Sequence, residues 1–222
     1  MSDLHTLPNH GLGWLDASGE HAGVVLSTRI RLARNLQGHA FGPRARVNDR
    51  EAVLEQIRRA MDKVELLAGS TLLALPDLDH RSRGMLLERR LASRELLGDV
   101  KVGPSRATAV LLAAQDPLSV MVNEEDHLRL QGLVSGLRLK EAWDQVDRLD
   151  EELGQELPFA YHHEFGFLTS CPTNVGSGLR ASVLVHLPGL VLTKEIGKVL
   201  QGLGQVGLTF RGLYGEGSEV VG

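Results

Sequence analysis

The sequence predicts an α+β fold, a mainly antiparallel β-sheet flanked by helices. Two short apolar runs, 108–114 and 118–123, are separated only by Gln115-Asp116-Pro117, a hairpin-like turn. Other segments repeat apolar residues every three or four positions, the period of a helix with one buried face. Strands and helices come in separate blocks rather than strict alternation, which favours antiparallel pairing over crossover units. At 222 residues the chain is long enough for one sizeable core, or one plus a small lobe.

Taken in order, residues 1–22 carry Pro, Gly, His and Asn without periodicity and read as a lead-in to a domain over 23–222. Gly23-Val24-Val25-Leu26 opens a strand that continues into "STRIRLARN". A helix is expected over 48–69, with Val53, Ile57, Met61 and Val64 on one face. Asn48 and Glu51 form a candidate capping box there, and Gly69 a candidate stop. A second, Arg-rich helix is expected over 80–98, ending at Gly98. After the central hairpin, 127–134 reads as the next strand. Leu139, Trp143, Val146, Leu149 and Leu153 then share one face of a helix over 137–154. Strand-like runs at 159–165 and 182–187 bracket a Gly-rich loop; a helix over 193–207 and a strand from 208 into another Gly-rich loop complete the chain.

Bulk numbers exclude several classes. Apolar residues at 42% and charged residues at 23% are ordinary for a globular protein. A formal net charge of −4 provides no global attraction to nucleic acid or a membrane. The single cysteine, Cys171, cannot form an internal disulfide and fits a reducing compartment. The first residues lack a basic stretch followed by an apolar one, and no apolar run is long enough to span a bilayer. A cytoplasmic protein is the expectation.

Arg29 and Arg31 are two apart, so in a strand they project from one face. Two neighbouring planar cations disfavour stability and suit a polyphosphate, which arginine holds in a fixed fork. Arg34, Arg129, Arg180 and Arg211 also stand near strand ends or glycines. The "NVGSG" and "YGEGSE" loops can bring backbone N–H groups to phosphates, although glycine clusters are commonly plain turns. Glu124-Glu125-Asp126 follow an apolar strand; such carboxylates can grip a guanidinium, accept its proton or orient Mg²⁺ through water. Cys171 suits either a reactive thiolate or a small buried residue. His162-His163-Glu164 suggests a metal, but neighbours in a strand point to opposite faces.

Four blocks, "STRIRLARN", "VNEEDHLR", "LTSCPTNVGSGLRASVLVHLP" and "RGLYGEGSE", resemble in order and spacing the phosphagen (ATP:guanidino) kinase family, over about 22–219. The form most similar is the bacterial protein-arginine kinase. Only residues 1–26 precede "STRIR", whereas kinases of free guanidino compounds carry a helical domain there that closes over the small substrate. The resemblance implies a guanidino-kinase catalytic fold of the glutamine synthetase type, with ATP and Mg²⁺ as cofactors. It implies arginine-containing proteins as acceptors, marked for degradation or adjusted in stress responses. A kinase of free arginine, and an inactive nucleotide-binding remnant, are the alternatives. DNA, RNA and membrane are not implied; a homo-oligomer is the alternative to a truncated fragment, if self-association covers the open sheet edge.

By motif, nucleotide contacts fall on Ser27, Thr28, Arg29, Ile30 and Arg31, on Arg129, on Arg180, Ala181, Ser182, Val183 and Leu184, and on Arg211, Gly212, Leu213, Tyr214, Gly215 and Glu216. Glu125 falls on the catalytic acid/base, Glu216 on its partner in clamping the guanidinium, and Cys171 on the thiol beside it. Glu124 is a candidate Mg²⁺ ligand through water. Two departures stand out. Arg90 occupies a place where similar sequences have His near the adenine. The chain stops at Gly222, before a further core strand and helices expected of the family, so a truncated domain with an open sheet edge is expected.

Overall fold

The computed structural model describes residues 11–99, 103–114 and 117–212. Its centre is a six-stranded, fully antiparallel sheet of order β2-β3-β4-β5-β1-β8. The strands are β1 (Val25–Arg34), β2 (Thr71–Ala74), β3 (Ala109–Leu112), β4 (Leu118–Val122), β5 (Leu128–Ser135) and β8 (Leu179–Val185). A separate hairpin joins β6 (Tyr161–His162) to β7 (Gly166–Phe167). The helices are α1 (Val47–Met61), α2 (His80–Glu88), α3 (Arg94–Leu97), α4 (Leu139–Glu156), α5 (Pro188–Leu192) and α6 (Ile196–Gln205).

Alternation along the strands builds two different faces. Ile30, Leu32, Val120, Leu128, Leu130 and Val134 enter the larger core with Val53 and Ile57 of α1 and Val146, Leu149 and Leu153 of α4. Gly132 on β5 lets α4 approach closely, since a Cβ there would lie 2.8 Å from a Val146 methyl. On the other face, Leu73, Val110, Leu112 and Met121 meet Leu86, Leu96 and Leu97 of α2 and α3. That second cover stops at the β2–β3–β4 end. The same face of β5, β1 and β8 carries arginines instead.

Several expected elements are altered. α1 begins at Val47, capped by Asp49 Oδ2 accepting from Arg46 N at 3.1 Å rather than by an Asn48–Glu51 pair. It ends at Met61; a short 3₁₀ turn follows, and Gly69 at φ 72 leads into β2, which was not foreseen. The single helix over 80–98 is two, because Arg90 sits at φ 62 and Ser93 caps a new start by accepting from Leu96 N. The run 159–165 is the arm and turn of the small hairpin, not one strand. Its turn stacks His162 on His163 with ring centroids 4.5 Å apart, so the two rings do not point to opposite faces. β8 starts three residues earlier than expected, at Leu179, and α5 was unforeseen. Leu208 to Arg211 form no strand.

Within the lead-in, a 3₁₀ turn, Gly13–Leu15, sets Trp14 against the sheet at 7% exposure. Beyond β1, β8 is an edge strand of the described residues, with Val183 42% and Val185 44% exposed.

Candidate active site

Strand register brings the arginines together. Arg31 on β1 stands opposite Gln131 of β5 and Arg180 of β8; Arg29 stands opposite Leu133 and Ser182; Ala33 stands opposite Arg129. Residues in register share a face, so Arg29, Arg31, Arg129 and Arg180 all point to the side left open by α2 and α3. Arg90, in the break after α2, joins them: its Nη1 donates to Ser27 Oγ at 2.9 Å, and its carbonyl accepts from Gln131 Nε2 at 2.7 Å. Its guanidinium lies 5.5 Å from the Trp14 ring.

No hydrogen bond or ion pair among the described residues engages the guanidinium groups of Arg29 and Arg31, and the buried Nε of each has no partner. Burial, reinforced by Arg31, Arg90, Arg180 and Arg129, lowers the Arg29 pKa to about 8. Burial and the neighbouring Arg129 and Arg180 lower Arg31 to about 9, with Glu124 opposing. Burial lowers Arg90 to about 10. Arginine resists deprotonation at neutral pH. A face of crowded cations with buried, unpartnered donors is therefore complementary to a polyanion, whose charge relieves the repulsion and whose oxygens accept those bonds.

The acidic cluster lies beside Arg129, and its members have separate tasks. Glu124 is 4% exposed and saturated. Its Oε1 accepts from Ser93 Oγ and from Arg129 Nη1, each at 2.7 Å. Its Oε2 lies 2.6 Å from Arg129 Nη2 and accepts from Glu125 N at 2.9 Å. In this arrangement Glu124 anchors Arg129. Glu125 is open by comparison: its side chain is 44% exposed and, among the described residues, its ion pair is a long one with Arg129, at 3.5 Å. Partial burial, then Asp126, raises its pKa against the lowering effect of Arg129.

Asp126 is a clasp that sequence reasoning missed. Buried at 2% exposure, its Oδ1 accepts from Asn35 Nδ2 at 2.6 Å and from Ser170 N at 2.7 Å. Ser170 Oγ donates to the Glu125 carbonyl at 2.7 Å. Asn35 also donates to Leu168 O at 3.0 Å, and its Oδ1 accepts from His127 N at 2.8 Å. The loop holding Cys171 is thus bound to the backbone of Glu125 through its immediate neighbour. Cys171 Sγ lies 3.0 Å from Thr173 Oγ1 at the start of a 3₁₀ turn, Pro172–Asn174. The next loop closes on β1: Ala33 N donates to Gly178 O at 3.0 Å, and a Cβ on Gly178 would lie 2.6 Å from Ala33 O. Only glycine fits there, at φ 64. Asn35 and Asp126 stood inside quoted motifs, but nothing in spacing alone signals that they meet.

The predicted nucleotide contacts divide by parity. Ser27, Arg29, Arg31, Arg180, Ser182 and Leu184 lie on the arginine face. Thr28, Ile30, Ala181 and Val183 lie on the opposite one. Ile30 is core, and Thr28 Oγ1 donates to Gly136 O at 2.6 Å. These four therefore turn their side chains away from the cations, because a strand's period is two. Arg211 and Gly212 follow α6; Arg211 is exposed and is not among the leading charges acting on Arg29 or Arg31. Leu213, Tyr214, Gly215 and Glu216 lie outside the described residues.

Residues 52–222 match the C-terminal catalytic domain of ATP:guanido phosphotransferases. The protein-arginine kinase of Pelotomaculum thermopropionicum is 44% identical over 225 residues, covering 100% of this chain and 62% of that protein. The protein-arginine kinase of Symbiobacterium thermophilum is 44% identical over 212 residues, covering 94% and 59%. The chain thus spans 62% and 59% of the lengths of these curated relatives. Among solved structures, the duplicated taurocyamine kinase from Schistosoma mansoni with bound transition state analog components superposes with a TM-score of 0.76. It is 26% identical, and the match covers 88% of this chain and 28% of that one. Lombricine kinase shares the fold, with a TM-score of 0.72 at 24% identity over 92% of this chain and 60% of its own.

Proposed function

The chain belongs to the ATP:guanido phosphotransferase family, and from that premise we propose that it is an ATP-dependent protein-arginine kinase. It moves the γ-phosphoryl group of Mg-ATP to a guanidino nitrogen of arginine side chains in proteins. The observation that carries this reading is a juxtaposition. Arg29 and Arg31 face outward with unpartnered Nε groups, and Arg129 links their face to the open carboxylate of Glu125.

Arg29, Arg31, Arg129 and Arg180 would hold the phosphates, with Arg90 and Ser27 closing one end of the face. Glu124, engaged by Arg129, would hold the Mg²⁺ that accompanies ATP only through water, and the ion would supply positive charge that offsets the phosphates. Glu125, with Glu216 as its proposed partner, would align the guanidinium and take its proton. The freed nitrogen forms a bond to the γ-phosphorus as the bond to the β-phosphate oxygen breaks, and ADP leaves with that electron pair. Transfer of this kind depends on positioning and on charge placed in advance. Cys171, next to the Ser170 clasp, would supply an electrostatic contact to the guanidinium rather than a covalent one. Residues 23–222 form the catalytic unit on this reading, in a cytoplasmic protein. Among the described residues no helix is long and apolar enough to cross a membrane.

The test is phosphoryl transfer from Mg-ATP to an Arg-rich unfolded protein, with free arginine in parallel. Products are read by mass spectrometry without acid, which would cleave the P–N bond. Phosphoarginine on protein is the expected product. Transfer to free arginine alone would replace this reading with a small-guanidine kinase. Transfer to neither, from folded protein, would leave a nucleotide-binding remnant.

A further inference from the structure

A cleft of about 260 Å³ opens beside the acceptor loops and has no part in the chemistry above. Leu36, Phe41, Ala160 and Leu168 give it an apolar interior, while Tyr161 and Gln37 stand at its exposed rim. Among the described residues no carboxylate, lysine or arginine lines it, and His39 is the titratable group in its lining besides the Tyr161 phenol. Its volume falls below the ~300–1,000 Å³ of small-molecule sites, and suits one large apolar side chain.

Its position is fixed by the same bonds that hold the catalytic loops. Leu168, in the wall, is three residues from Cys171, so the two lie at most about 11 Å apart along the chain. Phe41, also in the lining, precedes Gly42, and a Cβ on Gly42 would lie 2.8 Å from Ser170 Oγ and 3.8 Å from the Glu125 carbonyl. His127 buttresses the wall: its Nδ1 accepts from Leu36 N at 3.0 Å, and its Nε2 is 3.2 Å from Ala40 O. Extended peptide advances ~3.3–3.6 Å per residue, so the cleft lies within a few residues' reach of an arginine seated at Glu125. Tyr161, 55% exposed, and Phe165, 59% exposed, continue the apolar surface outward along the β6–β7 hairpin.

Resting on the protein-arginine kinase reading, we propose that this cleft binds an apolar side chain of the substrate polypeptide, within four residues of the acceptor arginine. The occupant is part of the chain that presents the guanidinium. The acidic site holds the cation, and the mainly apolar cleft beside it selects the neighbour. The protein would then favour arginines flanked by Leu, Ile, Met or Phe, such as those exposed when a folded protein opens.

The test uses peptides with one arginine in a Gly/Ser background, with Leu or Ala placed at each position from four before to four after it. A single favoured position should raise kcat/KM roughly tenfold for Leu over Ala, the discrimination typical of a hydrophobic pocket. Tyr161→Ser, which removes a rim wall, and Gln37→Trp, which caps the mouth, should each bring that ratio toward one. Thermal melts establish that both variants fold. A flat Leu/Ala profile on phosphorylated peptides, or a preference surviving both variants, overturns the cleft assignment alone. Phosphorylation of free arginine but of no peptide overturns the acceptor reading, and the cleft assignment with it. A change of sedimentation mass in the variants with unchanged selectivity would make the cleft an interface between copies, which also overturns it.

Discussion

Two arginine environments occur on one strand, three residues apart. Arg31 looks out from the sheet beside other cations, with no acidic partner engaging its guanidinium among the described residues. Arg34, at 3% exposure, is engaged through all three of its nitrogens. Its Nε and Nη2 donate to the two oxygens of Asp150 at 2.9 and 2.6 Å. Its Nη1 donates to Ala33 O and Ser177 O at 2.8 Å each, and its plane lies 3.6 Å from the Phe167 centroid. The acids repeat the contrast, since Glu124 is saturated and Glu125 is open. Residue type does not separate structure from function here. For Arg31 against Arg34, and for Glu125 against Glu124, the difference is whether the charge is already answered within the protein; Arg129, paired with Glu124, stands between the two classes.

The contrast breaks first on stability. Asp150→Ala strands the Arg34 charge and should cost about 3–5 kcal/mol in urea unfolding. Burial raises the Asp150 pKa despite Arg34, so the pair is costly to make and costlier to break. Arg31→Ala, by contrast, should leave the unliganded melting temperature unchanged or raise it, because it relieves repulsion. Its loss should appear only with ligand. Saturating Mg-ATP at ~100 Kd stabilises by about 2.7 kcal/mol, and that increment should vanish in the variant. Equal destabilisation by both substitutions would dissolve the distinction.

Glu125→Gln should lower transfer by about 10²–10⁴-fold with nucleotide binding retained, as for loss of a general base. Parallel loss of both would make Glu125 structural. Cys171→Ala should reduce the rate by roughly tenfold, within the range of one electrostatic contact; total loss would require a larger role. The smallest effect concerns pH. Glu125 must be ionised to grip and deprotonate the acceptor. Because its folded pKa is raised, activity should fall as pH drops through a value above 4.5, the ordinary carboxylate position. An acid limb at or below 4.5 would place the essential carboxylate elsewhere.

The parity of Arg29 and Arg31 was legible because a strand's period is two and the arginines are two apart. The same rule, applied to the whole run from Ser27 to Arg31, would have turned Thr28 and Ile30 away from the site, where the register places them. β2 was missed although Gly69 and Pro76 bracket its four residues; a strand that short has too little pattern to detect. Arg34–Asp150 and Asn35–Asp126 are separated by 116 and 91 residues, and they meet only because β1 lies against α4 and β5. No local period records such pairs. The break at Arg90 was hidden for the opposite reason. Helical spacing continues through it, while Leu91 and Ala92 are pulled into the second core.

Trp14 gives the arginine face an optical consequence. Its indole is buried beneath Arg90, the cation that also holds Ser27, whereas the protein's other tryptophan, Trp143, packs with the core on the far side of the sheet. Replacing Trp143 with Phe would leave a single fluorophore at the rim of the site. Its emission would shift as an anion redistributes charge around Arg90, so occupancy could be followed by light, without a label and without turnover.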